Sequence, residues 1–356
     1  MKRNVQILER KSNVELLRII SMLFIIGLHY LGSSNAIENV VGEECNNAYI
    51  LVETIFGTGV NIFVLITGYF MVDKKRVGMR KVVKLLFDVT FYGVVIFFVA
   101  FFLDIVDFSF INLIKSAFPI LFGYRWFVKA WIILYVLVPF LNKGLNDLSK
   151  KSFKILLAIM ILLFSVWPFV LPNPPLDDYG YSFLHFIFIY IIAAYLRKFS
   201  LNLKTKTCIC MLISAFLATW CIGLCANTKI LFLNNMYTYK WALNSPFMII
   251  ASCMIFVIAL RIGKNFSSKI INTLAASSFG VFLIHGDFNT MGFLFNNICK
   301  ASNYYDSWLW IPYMSLCVII IYFVCFCLDY IKQNSVDIII NKIFDRINLF
   351  NYHISI

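Results

Sequence analysis

The chain has 356 residues, of which 61% are hydrophobic and 14% are charged, and its mean hydropathy is +0.83. A soluble domain averages roughly 45–50% apolar and about 25% charged residues, so this composition excludes a water-soluble globule. The formal net charge is +13, but the basic residues occur in short segments between apolar runs. That distribution is typical of the cytoplasmic loops of membrane proteins and argues against a nucleic-acid-binding domain.

Ten stretches of the chain qualify or nearly qualify as membrane-spanning helices, which need about 20 mainly apolar residues. They are 14–32, 50–72, 83–103, 125–142, 154–172, 182–198, 207–226, 241–262, 272–296 and 308–331. The stretch 108–122 is also apolar, but it is short and contains Pro119, so we expect a re-entrant or interfacial segment there. The pattern predicts an all-α membrane protein in which residues 1–331 form a bundle of about ten transmembrane helices.

Basic residues are concentrated in alternate connecting segments. Most of the 31 Lys and Arg residues lie in 1–13, 73–84, 143–154, 197–206, 261–269 and 332–346. The segments between these hold few basic residues and several acidic ones. Because positively charged loops stay on the cytoplasmic side, the alternation predicts that the N-terminus and the C-terminus are both cytoplasmic.

The last 25 residues of the chain, 332–356, alternate charged residues with Ile, Phe and Leu. The positions that fall near one helical face are Ile339, Ile343, Ile347 and Phe350. This spacing predicts an amphipathic helix lying on the cytoplasmic membrane surface.

The ten cysteines lie mostly inside apolar runs and form no CxxC pair, so we predict no zinc site. Cys45 and Cys299 both fall in predicted outer loops, which leaves a disulfide between them open.

Ionisable residues within the first predicted span are candidates for function, because charges in a membrane usually face a bundle interior or a water-filled cavity. Arg18 and His29 are eleven residues apart, which places them on one face of a helix about 16 Å apart along its axis. Arg18 lies near the predicted cytoplasmic end and His29 in the outer half. The structural alternative is an Arg that snorkels to the surface and a His that bonds to a neighbour.

Glu15-Leu-Leu-Arg18, followed by ten residues and His29, resembles the opening motif of acyltransferase family 3, a family of integral membrane acyltransferases that includes bacterial polysaccharide O-acetyltransferases. Stretches similar to the family follow in the same order along the chain. They are Gly59–Tyr69, Arg80–Lys84, Arg125–Asn142 and Ser277–His285. The chain departs from the family pattern at Lys129, where a neutral residue is usual, and at Lys81 and Lys84, where Arg is common.

The resemblance implies an enzyme of the cell membrane that moves an acyl group, most commonly acetyl, from cytoplasmic acyl-CoA to a hydroxyl of a cell-surface or lipid-linked glycan. His29 would act as the general base that takes the hydroxyl proton, or it would carry the acyl group itself. A carrier or flippase for a lipid-linked sugar is the alternative, because it too needs polar residues in apolar helices. The expected partners are acyl-CoA, the glycan acceptor and membrane lipids, with no metal and no nucleic acid.

Donor binding requires a basic site, because CoA carries several phosphate charges. The candidates are Arg18, Arg80, Lys81 and Lys84. Simple positive-inside bias is the alternative explanation for the last three.

Outer-side candidates begin with Glu53, which could orient His29 as a carboxylate does in a catalytic triad or could be an acid at a wet helix end. Arg125, Trp126 and Lys129 could contact the acceptor sugar, although interfacial anchoring explains Trp equally well. Four polar residues at mid-membrane depth have interhelical hydrogen bonding as their default role: Asn61, Ser278, His285 and Asp287.

Overall fold

The computed structural model of the chain describes residues 12–33, 46–199, 201–224, 231–262, 266–304, 309–347 and 352–355. These residues are helical nearly throughout. The helices are α1 Ser12–Ser33, α2 Asn46–Met71, α3 Met79–Phe102, α4 Phe110–Ala117, α5 Trp126–Asn146, α6 Lys150–Val170, α7 Phe183–Phe199, α8 Thr205–Gly223, α9 Leu231–Thr238, α10 Pro246–Arg261, α11 Lys269–Ala276, α12 Ser278–His285, α13 Trp310–Gln333 and α14 Val336–Arg346. Helix α6 contains a π-helical turn at Leu162–Val166, and a second π-helical turn, Leu294–Ile298, follows α12.

Seven of the described helices are long and apolar enough to cross a membrane, namely α1, α2, α3, α5, α6, α8 and α13. The protein is therefore a multi-pass membrane protein. Helices α7 and α10 are shorter, with 17 and 16 residues. The predicted span 272–296 is not one helix, because it breaks at Ser277 and again after His285. The count of about ten crossings stays a prediction.

Helix α1 lies at the centre of the bundle and packs against α2, α10, α11, α12 and α13. Two glycines allow its close approach to α2. A Cβ atom added at Gly59 would lie 2.8 Å from the Ser21 carbonyl oxygen, and one added at Gly27 would lie 2.3 Å from the Phe56 ring. Close contact through small residues is a usual way for membrane helices to associate. This packing surrounds α1, on which Arg18 and His29 are partly buried.

The C-terminal segment is tied to the start of α3. Helix α14 exposes Ile338, Ile339 and Ile343 and buries Phe344, as expected for an amphipathic helix. Strand β2, His353–Ser355, pairs antiparallel with strand β1, Arg76–Gly78. The sequence pattern did not predict this two-stranded sheet. Phe350, which was predicted to lie on the apolar face of the amphipathic helix, is outside the described residues.

Segments that were predicted to be cytoplasmic contact one another at one end of the bundle. Ser12 bonds to Asn272 and to the backbone of Phe266 and Ser268, while Asn142 donates to the carbonyl of Lys74. Segments predicted to be outside meet likewise, as where Asn296 donates to the carbonyl of Ser33. These contacts within the described residues agree with the separation that the charge alternation predicts. Which set faces the cytoplasm stays a prediction. The disulfide that the sequence left open between Cys45 and Cys299 is untested, because Cys45 lies outside the described residues.

Candidate active site

A cavity of about 290 Å³ runs along one face of α1. Arg18, Met22 and Ile25 line it, and at helical spacing His29 is the next position on that stripe. The opposite walls come from α2, α3, α5, α11 and α12, with Lys81, Phe127 and Phe282 among the lining residues. The cavity is therefore lined by basic and aromatic side chains, and one of these, Phe282, also packs beside His29.

The imidazole of His29 is held at the far end of this stripe by α12. Its Nδ1 atom lies 3.0 Å from Nε2 of His285. The other ring nitrogen of His285, Nδ1, lies 2.6 Å from the carbonyl oxygen of Val281 in the same helix. Phe282 packs beside both rings, with its centroid 6.4 Å from that of His29. His285 is buried, whereas His29 is partly exposed.

Arg125 encloses the end of α12 instead of facing solvent. Its guanidinium donates to the carbonyl oxygens of Leu283 at 2.9 Å and Gly286 at 2.8 Å, and to the Asp287 carboxylate at 2.8 Å. Both charged side chains are almost fully buried. The last carbonyls of a helix have no partner within it, so a buried cation placed there satisfies them and the carboxylate offsets its charge. Because it is buried and bound to these groups, Arg125 is not accessible to an acceptor sugar in this structure.

The remaining outer-side candidates have different surroundings. Trp126 packs edge-on against Tyr181, with centroids 4.7 Å apart, and Lys129 is exposed. Glu53 is hydrogen-bonded to Tyr49 and lies near Lys240. Burial lowers the pKa of Lys240 to about 8, an effect that the Glu53 carboxylate partly offsets. Glu53 was one candidate for orienting the imidazole of His29, but Nδ1 of that ring faces His285.

The four basic donor-site candidates fall into two groups. Arg80 lies 2.5 Å from Asp345, and Lys84 lies 2.9 Å from Asp337, so both are paired with carboxylates of α14. Arg18, Lys81 and Lys84 all line the cavity, but only Arg18 and Lys81 are without a carboxylate partner from the described part of α14. Arg18 is 3.2 Å from Glu15. Among the described residues Lys81 has no carboxylate within ion-pair distance, and its ammonium lies over the rings of Trp131 and Tyr135 at 5.0 and 5.2 Å.

Sequence reasoning assigned no specific role to His285 or to the carbonyl of Val281. The family-like segment Ser277–His285 pointed to this region but not to a ring-to-ring contact. That contact depends on how α12 crosses α1, which no local pattern encodes. In the part of the chain that the structure describes, no group of three His, Cys, Asp or Glu side chains is arranged to hold a metal ion.

A family model for an acyltransferase domain, that of acyltransferase family 3, matches residues 11–330. The match includes the whole of α1 and extends into α13. No curated protein and no solved structure matches the chain significantly.

Proposed function

Since the chain belongs to acyltransferase family 3 and is a membrane acyltransferase, we propose that it transfers a short acyl group, acetyl first of all, from cytoplasmic acyl-CoA to a hydroxyl of a cell-surface or lipid-linked glycan at the cell membrane. The observation that carries this proposal is the α1 stripe on which Arg18, Met22 and Ile25 line the cavity and His29 follows at helical spacing. Family membership disfavours the carrier or flippase alternative.

The cavity suits a thioester with a charged head and a thin arm. Arg18 and Lys81 at its mouth would hold phosphate groups of CoA. The apolar and aromatic walls beyond them, such as Ile25 and Phe282, would take the pantetheine arm. A donor bound in this direction brings its thioester carbonyl towards His29. The acceptor hydroxyl would approach from the outer side and reach the partly exposed ring of His29.

The transfer needs a base, because a sugar hydroxyl is a weak nucleophile at neutral pH. In direct transfer, Nε2 of His29 takes the hydroxyl proton while the oxygen attacks the thioester carbonyl. The carbon–sulfur bond then breaks, and the leaving thiolate takes the proton from the imidazolium. The alternative is attack by Nε2 itself, which forms an acyl-imidazole that the hydroxyl then resolves. Both routes require an unprotonated Nε2.

His29→Ala tests the proposal. General-base catalysis is worth roughly 10² to 10⁴-fold, so we expect acylation to fall by at least about 100-fold. The O-acyl content of the cell's glycans is measured in strains with equal amounts of the protein. His353→Ala is the matched control, because His353 is exposed in β2 and does not line the cavity. Unchanged acylation in the His29→Ala strain contradicts the proposal.

A further inference from the structure

We propose that His285 is a positioning residue that presets the tautomer of His29, so that Nε2 of His29 carries the lone pair used in acyl transfer. The inference rests on the proposed function in one respect, since it takes His29 as the group that reacts. It adds a second histidine, a backbone carbonyl and a buried arginine to the machinery that prepares that group.

The assignment starts at Val281, because a carbonyl oxygen can only accept a hydrogen bond. His285 Nδ1, 2.6 Å from that oxygen, must therefore carry a proton. In a neutral imidazole the other nitrogen is then an acceptor. Nε2 of His285 is thus left with a lone pair, and it faces His29.

The protonation of His29 follows from its contact with His285 by the same reasoning. Its Nδ1 lies 3.0 Å from the lone pair of His285 Nε2, so this nitrogen carries the proton and donates. Nε2 of His29 is then unprotonated, and among the described residues it has no hydrogen-bond partner. The tautomer of a histidine is set by the hydrogen bond that its other nitrogen makes. A fixed carbonyl in α12 therefore determines the state of a reactive atom on α1.

Arg125 and Gly286 hold the two imidazoles in position for this chain of hydrogen bonds, which runs from Val281 through His285 to His29. Arg125 ties the carbonyls of Leu283 and Gly286 on either side of His285. A Cβ atom at Gly286 would lie 3.3 Å from Cε1 of His29 and 3.0 Å from the carbonyl oxygen of Phe282, closer than ordinary contact. Glycine thus leaves room for the two imidazoles to meet.

His185 is a buried histidine whose hydrogen bond requires a different tautomer, so a protonated Nδ1 is not a general property of the buried histidines in this protein. The Asn61 side-chain amide donates to the carbonyl of Leu243, so its oxygen faces Nε2 of His185 at 2.8 Å. That nitrogen must carry the proton, which is the opposite tautomer from His29 and His285. The protein therefore contains an internal reference for a spectroscopic test.

Two substitutions at His285 separate its acceptor from its donor. The side-chain oxygen of Gln reaches roughly the position of Nε2, whereas the amide nitrogen of Asn reaches roughly that of Nδ1. His285→Gln should keep the acceptor for His29 and retain activity within about tenfold. His285→Asn should keep the bond to Val281 but lose the acceptor. We expect its kcat to fall about 100-fold or more, because a wrong histidine tautomer costs up to about 10⁴-fold in serine proteases, while the KM for the acyl donor stays unchanged.

The measurement uses the purified full-length protein in detergent or nanodiscs, with acetyl-CoA as donor, a glycan acceptor, and thermal unfolding as the check on folding. Equal losses of kcat in the two folded variants overturn the proposal, as does near wild-type kcat in His285→Asn. If the wild type transfers no acyl group, the proposed function fails instead.

The tautomer itself is read without any activity, from the ¹⁵N chemical shifts of ring-labelled histidines. His29, assigned by its loss in His29→Ala, should show a protonated Nδ1, and His185 should show a protonated Nε2. In His285→Asn the His29 signal should shift towards a mixture of tautomers. A protonated Nε2 on His29 in the wild type overturns the inference whatever the kinetics show.

Discussion

At the scale of single residues, some basic side chains near the cavity are held by hydrogen bonds or ion pairs within the protein, whereas others line the cavity. Arg125 is hydrogen-bonded to two carbonyl oxygens and paired with a carboxylate. Arg80 is paired with Asp345. Arg18 and Lys81 remain at the cavity mouth. Arg18 is paired only with Glu15 of its own helix, and Lys81 has no carboxylate within ion-pair distance among the described residues, so these two cations can offer more of their charge to a phosphate than Arg125 can.

We predict that Arg18→Ala and Lys81→Ala each raise the KM for the acyl donor about tenfold or more, with little change in kcat. A hydrogen bond to a charged group is worth about 1.5–3 kcal/mol, and 1.4 kcal/mol corresponds to a factor of ten. Loss of binding that is equal in the ground and transition states appears in KM alone. Steady-state kinetics with varied acetyl-CoA measures the effect.

Lys75→Ala is the matched control for these variants. Lys75 is an exposed residue of the same basic loop and does not line the cavity, so its removal changes the local charge equally without removing a contact. A rise in KM for Lys75→Ala as large as that for Lys81→Ala would show that the general positive field, not a site, attracts the donor.

At the scale of elements, close approaches through glycine determine how helices meet around the site. Helix α4 lies against α3 at Gly93, where an added Cβ atom would be 1.9 Å from the carbonyl oxygen of Ser116. Thr90 donates to the carbonyl of Ala117 at the same contact. Ser116 in turn accepts from Asn289, just beyond the turn that Arg125 holds. The position of α4 is therefore coupled to the chain segment that follows His285.

We predict that Gly93→Ala lowers the free energy of unfolding by roughly 1–3 kcal/mol, because the new methyl group must push a backbone carbonyl away in a packed contact. Thermal unfolding of the purified protein in micelles measures the loss. Gly144→Ala in α5 is the matched control, since nothing lies within 4 Å of its added Cβ. It should be neutral or stabilise the helix by up to about 1 kcal/mol. Equal effects of the two substitutions would contradict the packing argument.

At the scale of the whole molecule, the two ends of the bundle carry different charge. The end that gathers Ser12, Lys74 and Asn272 is the one rich in Lys and Arg segments. The end that gathers Ser33 and Asn296 lies on the far side of the α1 stripe. If the basic end is cytoplasmic, the cavity mouth at Arg18 faces the compartment in which acyl-CoA is made, and His29 faces the acceptor.

We predict that a reporter fused after Lys206 reads cytoplasmic and that one fused after Asp178 reads external. The reason is the asymmetric distribution of Lys and Arg between the two sets of loops. A phosphatase that is active only outside and a fluorescent protein that folds only inside give opposite signals at each site. The same reading for both fusions would break the alternation and, with it, the proposed direction of transfer.

The sequence by itself determined the class of protein and much of the candidate site. Composition and the 20-residue apolar runs established a multi-pass membrane protein, because a bilayer demands long helices whatever they pack against. The spacing of Arg18 and His29 predicted that both lie on one face of α1, because helical geometry is local. Family-like segments in order along the chain identified the family that the domain match confirms.

Only the tertiary structure decided which polar groups meet. Neither the contact of His29 with His285, nor the role of Arg125 at the end of α12, nor the pairing of β1 with β2 follows from any local pattern. Each joins residues at least 150 positions apart, and each depends on the angle and register at which two helices or strands pack. Hydropathy specifies that helices exist, but steric fit between their surfaces specifies which nitrogen faces which oxygen. At this site that fit brings Nδ1 of His29 to Nε2 of His285.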